Sequence, residues 1–313
     1  MESFLVHDDR FKAILGPNPT LELLLENKEY AFAHEAGVYI PPDNTLFITS
    51  NHIHTTGLIL TQWSQTNITL SSKVIAITGA NRGIGLGIVE SCLVNDAARV
   101  YSLDIGDTAD EFHGLSQRFP GKLFAIHTDV TQESSIATAV DKIIDEADVL
   151  HGMVVNAGRT KHKPGLEFTD EEIEALFSVN VARTAARAFI RLGIKGSIVF
   201  TASIASYPPN KRVPSAPYGA SKAGIRNMTH TLAMEWAPHN IRVNSVSPGL
   251  VNTAMTYWVP QQEGWKQQLK YYGGFPRLAD VQELGGAYVY LLSDAASYTT
   301  SIDIPVNGVI GIC

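Results

Sequence analysis

Cysteine is scarce in this sequence, which contains Cys92, Cys313 and no other cysteine among its 313 residues. Two cysteines so far apart do not make the framework of bridges on which small secreted domains depend, so we expect no structural disulfide and a reducing compartment. Long apolar runs are absent too, because no stretch approaches the ~20 residues that a membrane-spanning helix needs. The first residues also lack the basic and then apolar pattern of a secretion signal. The sequence therefore predicts a cytoplasmic protein with no membrane partner.

Positive charge is in deficit as well. The 24 lysines and arginines stand against 31 acidic residues, which leaves a formal net charge of −7. The sequence contains no run of basic residues, so we do not expect nucleic acid as a partner. We expect a small molecule instead. A hydrophobic fraction of 45% and a charged fraction of 18% are typical of a folded globular protein. A chain of this length can hold one α/β domain of ~240 residues and an appendage.

The most specific pattern in the chain is Lys73–Gly87, KVIAITGANRGIGLG. It predicts a buried strand, a turn that contains Gly79, Gly83 and Gly85, and a helix that begins near Ile84. The first glycine permits a turn that side chains obstruct, and the other two permit close approach of a phosphate. Because a helix N-terminus offers free N–H groups and a positive dipole end, we expect the turn to hold the pyrophosphate of a dinucleotide. By itself the motif is a weak signal, since such turns also serve packing.

Strands alternate with helices through the rest of the chain, which predicts an α/β fold with a doubly wound parallel sheet of the Rossmann type and helices on both faces. After the strand before Gly79, the expected strands are 99–104, 123–126, 149–155, 197–200, 241–246 and 304–306. Ligands of such sheets lie outside the carboxyl ends of the strands. Four strand ends carry suitable residues, namely Gly79, Asp104, Asp129 and Asn156. We therefore expect these four to line one binding edge.

Asp104 lies where a carboxylate can accept hydrogen bonds from both ribose hydroxyls of an adenosine. The same negative charge would repel a 2′-phosphate, so Asp104 favours NAD over NADP. Arg82, inside the glycine-rich turn, favours the opposite choice because a guanidinium pairs with phosphate. We expect NAD because a buried like-charge clash costs more than a solvated arginine gains, and NADP stays open. The alternative for Asp104 is an ordinary acidic residue at a turn.

Residues 1–70 differ from the remainder, 71–313. They lean toward β-structure, with a strand expected at 47–49 and turns at 16–19 and 41–44. The sequence from FKAIL to FITSN resembles the N-terminal part of fungal gluconolactonase-like β-propeller proteins. That resemblance implies that Glu35 is a metal ligand. A propeller closes by repeating blades around an axis, so one blade cannot build the central site. We therefore expect an irregular N-terminal extension with no metal or lactone function.

Ser203, Tyr218 and Lys222 form a candidate catalytic set. Tyr218 and Lys222 are four residues apart at a helix start, so their side chains project from one face. A tyrosine with a pKa near ~10 is a poor acid or base at neutral pH, and a nearby ammonium would stabilise its phenolate. Ser203, at the end of the neighbouring strand, can donate to a substrate oxygen as charge develops there. A tyrosine and lysine pair on a solvated helix face is the alternative reading.

Residues 73 to about 308 resemble the short-chain dehydrogenase/reductase family, on the motifs TGANRGIG, NAG, YGASK and IRVNSVSPG. The resemblance implies an NAD(P)-dependent oxidoreductase in which Tyr218 is the acid/base, Lys222 lowers its pKa and holds the nicotinamide ribose, and Ser203 orients the substrate. Asn180 would anchor a proton-relay water with Lys222. The catalytic residues implied are therefore Asn180, Ser203, Tyr218 and Lys222.

The same resemblance implies a set of cofactor contacts. Asp129 would contact adenine, Asn156 would lie along the cofactor, and Val251 and Thr253 would meet the carboxamide. The full set is Gly79, Asn81, Arg82, Gly83, Ile84, Gly85, Asp104, Asp129, Val130, Asn156, Ala157, Gly158, Tyr218, Lys222, Pro248, Gly249, Val251 and Thr253.

The segment between Ser203 and Tyr218 resembles the fungal polyol dehydrogenase and sorbose reductase branch, which often prefers NADP(H). The family forms homodimers and homotetramers. This sequence departs from the family pattern at two places that bear on the contacts between subunits. The helix after Asn180 is about a turn short before Gly196, and the usual closing T-G…D-G-G is replaced by Thr300-Ser301 and Asn307-Gly308-Val309.

The function implied is the interconversion of a secondary alcohol and a ketone, such as a polyol and a ketose. A first alternative is a ketoreductase that tailors a bulky secondary metabolite, with an aromatic lid over 257–275. A second, of another class, is a catalytically silent nucleotide-binding protein.

Overall fold

The computed structural model describes residues 35–40, 45–50, 58–59, 68–158, 180–207, 216–271 and 274–309. The chain forms two compact units, Met1–Thr66 and Asn67–Cys313. The division lies before the one expected after residue 70, because Leu70 is fully buried in the core of the second unit and its N–H donates to the carbonyl of Asn95 at 2.8 Å.

The described part of the first unit is a three-stranded antiparallel sheet. Its strands are β1 (Glu35–Ile40), β2 (Thr45–Ser50) and β3 (Leu58–Ile59), in the order β1-β2-β3. The strand expected at 47–49 is confirmed within β2, and Glu35 is the first residue of β1. The turns expected at 16–19 and 41–44 lie outside the described residues. Within the described residues, no group of three or more His, Cys, Asp or Glu side chains could hold a metal ion.

The second unit is built on a seven-stranded sheet in which every neighbouring pair is parallel. Its order is β10-β9-β8-β7-β4-β5-β6. The strands are β4 (Val74–Thr78), β5 (Arg99–Asp104), β6 (Leu123–His127), β7 (Gly152–Val155), β8 (Gly196–Thr201), β9 (Ile241–Pro248) and β10 (Asp303–Val306). All seven expected strands are confirmed, as is the doubly wound Rossmann-type fold.

Helices cover both faces of this sheet. They are α1 (Gly83–Val94), α2 (Asp110–Arg118), α3 (Glu133–Ala147), α4 (Asn180–Leu192), α5 (Ala216–Trp236), α6 (Trp265–Tyr271) and α7 (Gln282–Leu292). One apolar cluster joins β4 to α1 and α7, and a second joins the opposite face to α3, α4 and α5. Because both faces are covered, strands such as β4 are buried throughout and read as unbroken apolar runs.

The direction in which successive strands are added to the sheet reverses after β6. From β4 the chain builds outward through β5 and β6, and then returns to add β7 on the other side of β4. The loops that follow β4 and β7 therefore diverge and leave a crevice outside the carboxyl ends of the strands, where ligands of open parallel sheets bind.

The loop expected over 257–275 needs revision, and a few expected residues lie outside the described part of the chain. The long aromatic loop expected over 257–275 contains a helix, α6, and a short 3₁₀ turn at Val259–Gln261. The buried Val259 and Leu269 give these pieces apolar anchors, which explains why they fold. The helix expected after Asn180 is α4, and Tyr272 and Cys313 lie outside the described residues. Among the described helices, none has the length and apolarity needed to cross a bilayer.

Candidate active site

The glycine-rich turn adopts a conformation that requires its glycines. Gly79 and Gly83 have φ values of +65° and +58°, a region that side chains disfavour. A Cβ on Gly79 would lie 2.8 Å from the Cα of Ala157, and a Cβ on Gly85 would lie 2.2 Å from the carbonyl oxygen of Gly79. The turn therefore packs against itself and against the end of β7, with no room for side chains.

The face of the turn above Gly83 is open. A Cβ built on Gly83 would meet one atom within 4 Å, the Cγ2 of Thr253 at 4.0 Å. The residue before α1, Arg82, is exposed and extended, and its side chain makes no capping hydrogen bond to the helix. Among the described residues, Arg82 therefore does not cap the first N–H groups of α1, and the space above Gly83 is open. These features fit the pyrophosphate of a dinucleotide.

Asp104 is fixed beside this turn at the end of β5. Its Oδ2 accepts from the N–H of Asn81 at 3.0 Å, and its Oδ1 accepts from the N–H of Gly106 at 2.9 Å. The Asn81 side chain spans the same gap, because its Nδ2 donates to the Gly106 carbonyl and its Oδ1 accepts from Ser102. The carboxylate is half-buried at the place where an adenosine ribose would lie if the turn holds a dinucleotide.

Asn156 joins the ends of three strands. Its Nδ2 donates to the carbonyls of Thr78 and Gly79 at 3.0 and 3.1 Å, and its Oδ1 accepts from the Thr201 hydroxyl at 3.2 Å. The Thr78 hydroxyl in turn accepts from the N–H groups of Asn156 and Ala157, both at 3.0 Å. Asn156 therefore holds the glycine-rich turn in place and connects it to β8. The two threonines were not singled out from the sequence, although Thr78 directly precedes Gly79 and Thr201 precedes Ser203 by two positions, because the sequence does not show that Asn156 joins them.

Ser203, Tyr218 and Lys222 lie together at the end of β8 and the start of α5. The Ser203 side chain is hydrogen-bonded to the Tyr218 hydroxyl, and its Oγ also accepts from the N–H of Ala205 at 3.1 Å. Lys222 donates from Nζ to the carbonyl of Thr201 at 2.8 Å, and its Nζ lies 5.8 Å from the centre of the Tyr218 ring. A phenol, a hydroxyl and an ammonium thus face the crevice from adjacent elements.

Burial shifts the pKa values of this group in opposite directions. It raises the pKa of the Tyr218 phenol, and the hydrogen bond to Ser203 offsets part of that rise. It lowers the pKa of Lys222 from 10.5 to about 8, because the ammonium loses its hydration. Burial and the contact with Ser203 are thus the causes of the shift at the phenol, and the expected lowering of the Tyr218 pKa by Lys222 stays a prediction. The ammonium contacts the Thr201 carbonyl, and the loss of hydration dominates at the phenol.

Comparison with known proteins supports the same reading of the chain. The family model described as Enoyl-(Acyl carrier protein) reductase matches residues 79–308. The chain belongs to the short-chain dehydrogenase/reductase family. The model does not cover the first unit, so the propeller resemblance stays a prediction.

Two relatives of this chain are a sorbose reductase and a mannitol dehydrogenase. The sorbose reductase of Schizosaccharomyces pombe is 32% identical over 78% of this chain and 97% of its own length. The NADP-dependent mannitol dehydrogenase of Hypocrea jecorina is 30% identical over 76% of this chain and 92% of its own. Among solved structures, a 7α-hydroxysteroid dehydrogenase complexed with NADH and a 7-oxo bile acid has a TM-score of 0.70 at 26% identity, over 79% of this chain and 96% of that one.

The loop that follows β9 approaches the glycine-rich turn. Pro248 is buried at the end of β9, and the N–H of Gly249 donates to the carbonyl of Val306 at 3.0 Å. Val251 is buried in the apolar core and bridges to Ala279, whereas Thr253 is half-buried and faces Gly83. Of this stretch, Thr253 is the side chain that the structure brings nearest to the expected pyrophosphate position.

Three further expected residues have structural partners of their own. The Asp129 carboxylate accepts from the N–H and the hydroxyl of Thr131 at 2.9 and 2.7 Å, which shapes the turn before α3, and Val130 packs half-buried beside that helix. Asn180 begins α4, and its Oδ1 accepts from Arg183 at 3.1 Å. The adenine contact of Asp129 and the water-anchoring role of Asn180 stay predictions.

Gly158 and Ile84 complete the expected set. Gly158 is exposed at the end of the NAG motif, and a Cβ built on it would lie 3.7 Å from the Nζ of Lys222. This places the lysine beside the loop that leaves β7. Ile84 is half-buried in the first turn of α1 and packs against the apolar cluster under that helix. Its side chain therefore serves the core, and only its backbone N–H can face a ligand at the turn.

Proposed function

We propose that this short-chain dehydrogenase/reductase interconverts a secondary alcohol and a ketone with a nicotinamide dinucleotide. The observation that carries the proposal is the contact between Ser203 and Tyr218, with Lys222 buried one helical turn away. This group lies at the carboxyl edge of the sheet, where Asn156 and Thr201 connect it to the glycine-rich turn. A proton donor and an oxyanion partner are thus held next to a cradle for phosphate.

The residues of this chain would divide the work as follows. The N–H groups at the start of α1 and the carboxylate of Asp104 would hold the two ends of the adenosine diphosphate part. The chemistry that a bound nicotinamide dinucleotide supplies is the transfer of a hydride. In the reducing direction Tyr218 would donate the proton of its hydroxyl to the substrate oxygen, and Ser203 would hydrogen-bond the same oxygen as its negative charge develops.

Lys222 would act by its charge. When Tyr218 gives up its proton, the phenolate is unfavourable in a buried place, as the raised pKa of this residue indicates. An ammonium within a few ångströms stabilises such an anion more strongly than it would in water, because the local dielectric constant is low. The hydrogen bond to the Thr201 carbonyl keeps the ammonium in position for this role.

Replacing Tyr218 tests the proposal. In Tyr218→Phe we expect kcat to fall by about 10³-fold, within the range that removal of a general acid produces, with the affinity for the dinucleotide changed less than about twofold. Activity is measured from NADH absorbance with a panel of ketoses, polyols and cyclic ketones. Tyr298→Phe, at a fully exposed tyrosine, serves as the control and should leave kcat unchanged. Turnover retained by Tyr218→Phe would rule out this mechanism.

The panel also separates the rival functions. Polyol and ketose substrates are favoured by the names of the two fungal relatives. A bulkier ketone is favoured by the exposed apolar side chains that follow β9, which include Met255, Tyr257 and Phe275. Binding of the dinucleotide without turnover on any compound would instead favour the silent nucleotide-binding protein.

For the dinucleotide we propose a preference for NAD. The support is the position of Asp104, whose carboxylate is fixed by the N–H groups of Asn81 and Gly106 and cannot easily turn away from a 2′-phosphate. Fluorescence titration with NADH and NADPH should give the lower Kd for NADH. Asp104→Ser should shift the ratio of the two Kd values toward NADPH by about tenfold or more, which is ~1.4 kcal/mol. Asp107→Ser, at an exposed acid nearby, is the control; tighter binding of NADPH by the wild type would refute the preference.

Assembly is proposed on the family's precedent alone, and the cytoplasmic location on the sequence patterns described first. A homodimer or homotetramer is expected, and sedimentation of the purified chain as a monomer at micromolar concentration would contradict it. The cytoplasmic location stays a prediction, which fractionation of expressing cells would test.

A further inference from the structure

A buried carboxylate lies at the first residue of β10. The Asp303 side chain is 6% exposed. Its oxygens accept from the hydroxyls of Tyr207 at 2.7 Å, Ser245 at 2.5 Å and Ser247 at 2.8 Å. The Nε of Arg226 lies 3.5 Å from Oδ2 and supplies the opposite charge. A charge removed from water needs such partners to be tolerated, so these five residues form a mutually dependent group.

Arg226 brings this group to the helix that carries the catalytic pair. It follows Lys222 by one helical turn and Tyr218 by two, on the same side of α5. Its guanidinium carbon lies 3.7 Å from the centre of the Tyr207 ring, and its Nη1 donates to the carbonyl of Ser206 at 3.3 Å. Arg226 thus contacts the segment that follows β8 through both a ring and a backbone carbonyl.

That segment is one tight turn that starts at Ser203. The N–H and the hydroxyl of Ser206 both donate to the Ser203 carbonyl, at 3.0 and 2.6 Å. The N–H of Ala205 donates to the Ser203 Oγ at 3.1 Å. Tyr207 closes the turn through its N–H, which donates to the Ile204 carbonyl at 3.0 Å. The position of the Ser203 hydroxyl therefore depends on where the far end of the turn is held.

We infer that Tyr207, Arg226 and Asp303 are positioning residues that hold the Ser203 hydroxyl against Tyr218. Asp303 and Arg226 both contact Tyr207 at the end of the turn, and Ser203 at its start contacts the Tyr218 hydroxyl. Asp303 begins β10, and Arg226 lies on α5, the helix that also carries Tyr218. The turn that carries Ser203 is therefore anchored to the same helix as Tyr218. This inference rests on the proposed function, because it assigns the residues to the same site.

Tyr207→Phe is the mild perturbation that tests this role. It removes the hydroxyl that Asp303 accepts and keeps the ring on which Arg226 stacks, so the fold should survive. The first readout needs no turnover: the carbon-13 resonance of the Tyr218 Cζ, assigned by its loss in Tyr218→Phe. We expect Ser203→Ala to shift this resonance and Tyr207→Phe to shift it in the same direction. A resonance in Tyr207→Phe that stays at its wild-type position would overturn the inference, whether or not the enzyme turns over.

Kinetics provide the second readout. Tyr207→Phe should lower kcat about tenfold, less than the ~100-fold that a misplacement of 1 Å can cost, with the Kd for NADH unchanged. In the Ser203→Ala background the same substitution should change kcat less than about twofold, since the group that it positions is gone. A full tenfold loss in both backgrounds would mean a general structural effect and would overturn the inference while the proposed function stood.

A matched control separates this role from the loss of any tyrosine hydroxyl. Tyr290 makes a comparable hydrogen bond, to the Thr299 hydroxyl at 2.8 Å, on the far part of α7. Tyr290→Phe should leave both the Tyr218 resonance and kcat unchanged. Arg226→Lys keeps the charge and loses the planar stack on Tyr207, so it should resemble Tyr207→Phe; wild-type values for both readouts in this variant would contradict the role of the arginine.

Discussion

The charge of Lys222 should limit catalysis at a lower pH than lysines usually allow. The side chain is 9% exposed, and burial lowers its pKa to about 8. Below this pH the residue carries the ammonium that stabilises the Tyr218 phenolate, and above it the ammonium is lost. Carbonyl reduction also needs the protonated phenol, but the raised pKa of Tyr218 keeps that proton in place well past the pH at which Lys222 titrates.

The size of the effect follows from the titration of one group. With a pKa of about 8, the charged fraction of Lys222 falls about fivefold between pH 8 and 9 and about ninefold between pH 9 and 10, and kcat/KM for the carbonyl substrate should fall by the same factors. This parameter reports the ionisation of the enzyme form that the carbonyl binds. It is measured from pH 6 to 10 with the best carbonyl substrate varied at a saturating concentration of NADH. A lysine of ordinary pKa would hold the plateau to about pH 10.

Lys222→Arg supplies the control, because a guanidinium stays charged throughout this range. The variant should be slow, since its geometry differs, but its residual kcat/KM should not fall between pH 8 and 10. A wild-type plateau that extends to pH 10 would refute the reasoning. A fall above pH 8 that persists in Lys222→Arg would assign the titration to another group and refute it equally.

Two further predictions concern stability. The Nδ1 of His151 accepts from the N–H of Val74 at 2.9 Å, and burial lowers the pKa of this histidine. Because the folded state binds the proton less readily than the unfolded one, the free energy of unfolding should fall as the pH drops below the unfolded pKa of 6.5. In urea titrations the His151→Gln variant should lack that part of the fall. An identical pH dependence of stability in wild type and variant would refute this prediction. In α7, a Cβ on Gly285 would lie 1.8 Å from the Ser91 Oγ, whereas one on Gly286 would meet nothing within 4 Å. Gly285→Ala should therefore lower the free energy of unfolding by about 1–3 kcal/mol and Gly286→Ala should raise it by up to ~1 kcal/mol, and equal effects of the two in thermal melts would contradict the packing argument.

Much of the fold follows from local pattern. The apolar run before Gly79 and its counterparts predicted all seven strands of the main sheet, because strands buried on both faces are apolar throughout and are followed by turn residues. The helix in the segment after β9 was missed for the converse reason. Its seven residues from Trp265 to Tyr271 are mostly aromatic and polar and hold one buried side chain, Leu269, which is too little apolar pattern to indicate a helix.

The candidate site divides in the same way. The sequence by itself determined the kinds of group present and their local geometry: glycines where a backbone must turn tightly, and Tyr218 with Lys222 on one helical face. Tertiary structure alone decided how those groups ionise and what holds them, since burial raises the pKa of Tyr218 and lowers that of Lys222. It also decided that Tyr207 meets Asp303, which lies 96 positions further along the chain. Desolvation and such long-range contacts depend on which atoms surround a group in space, and no spacing along a chain encodes that.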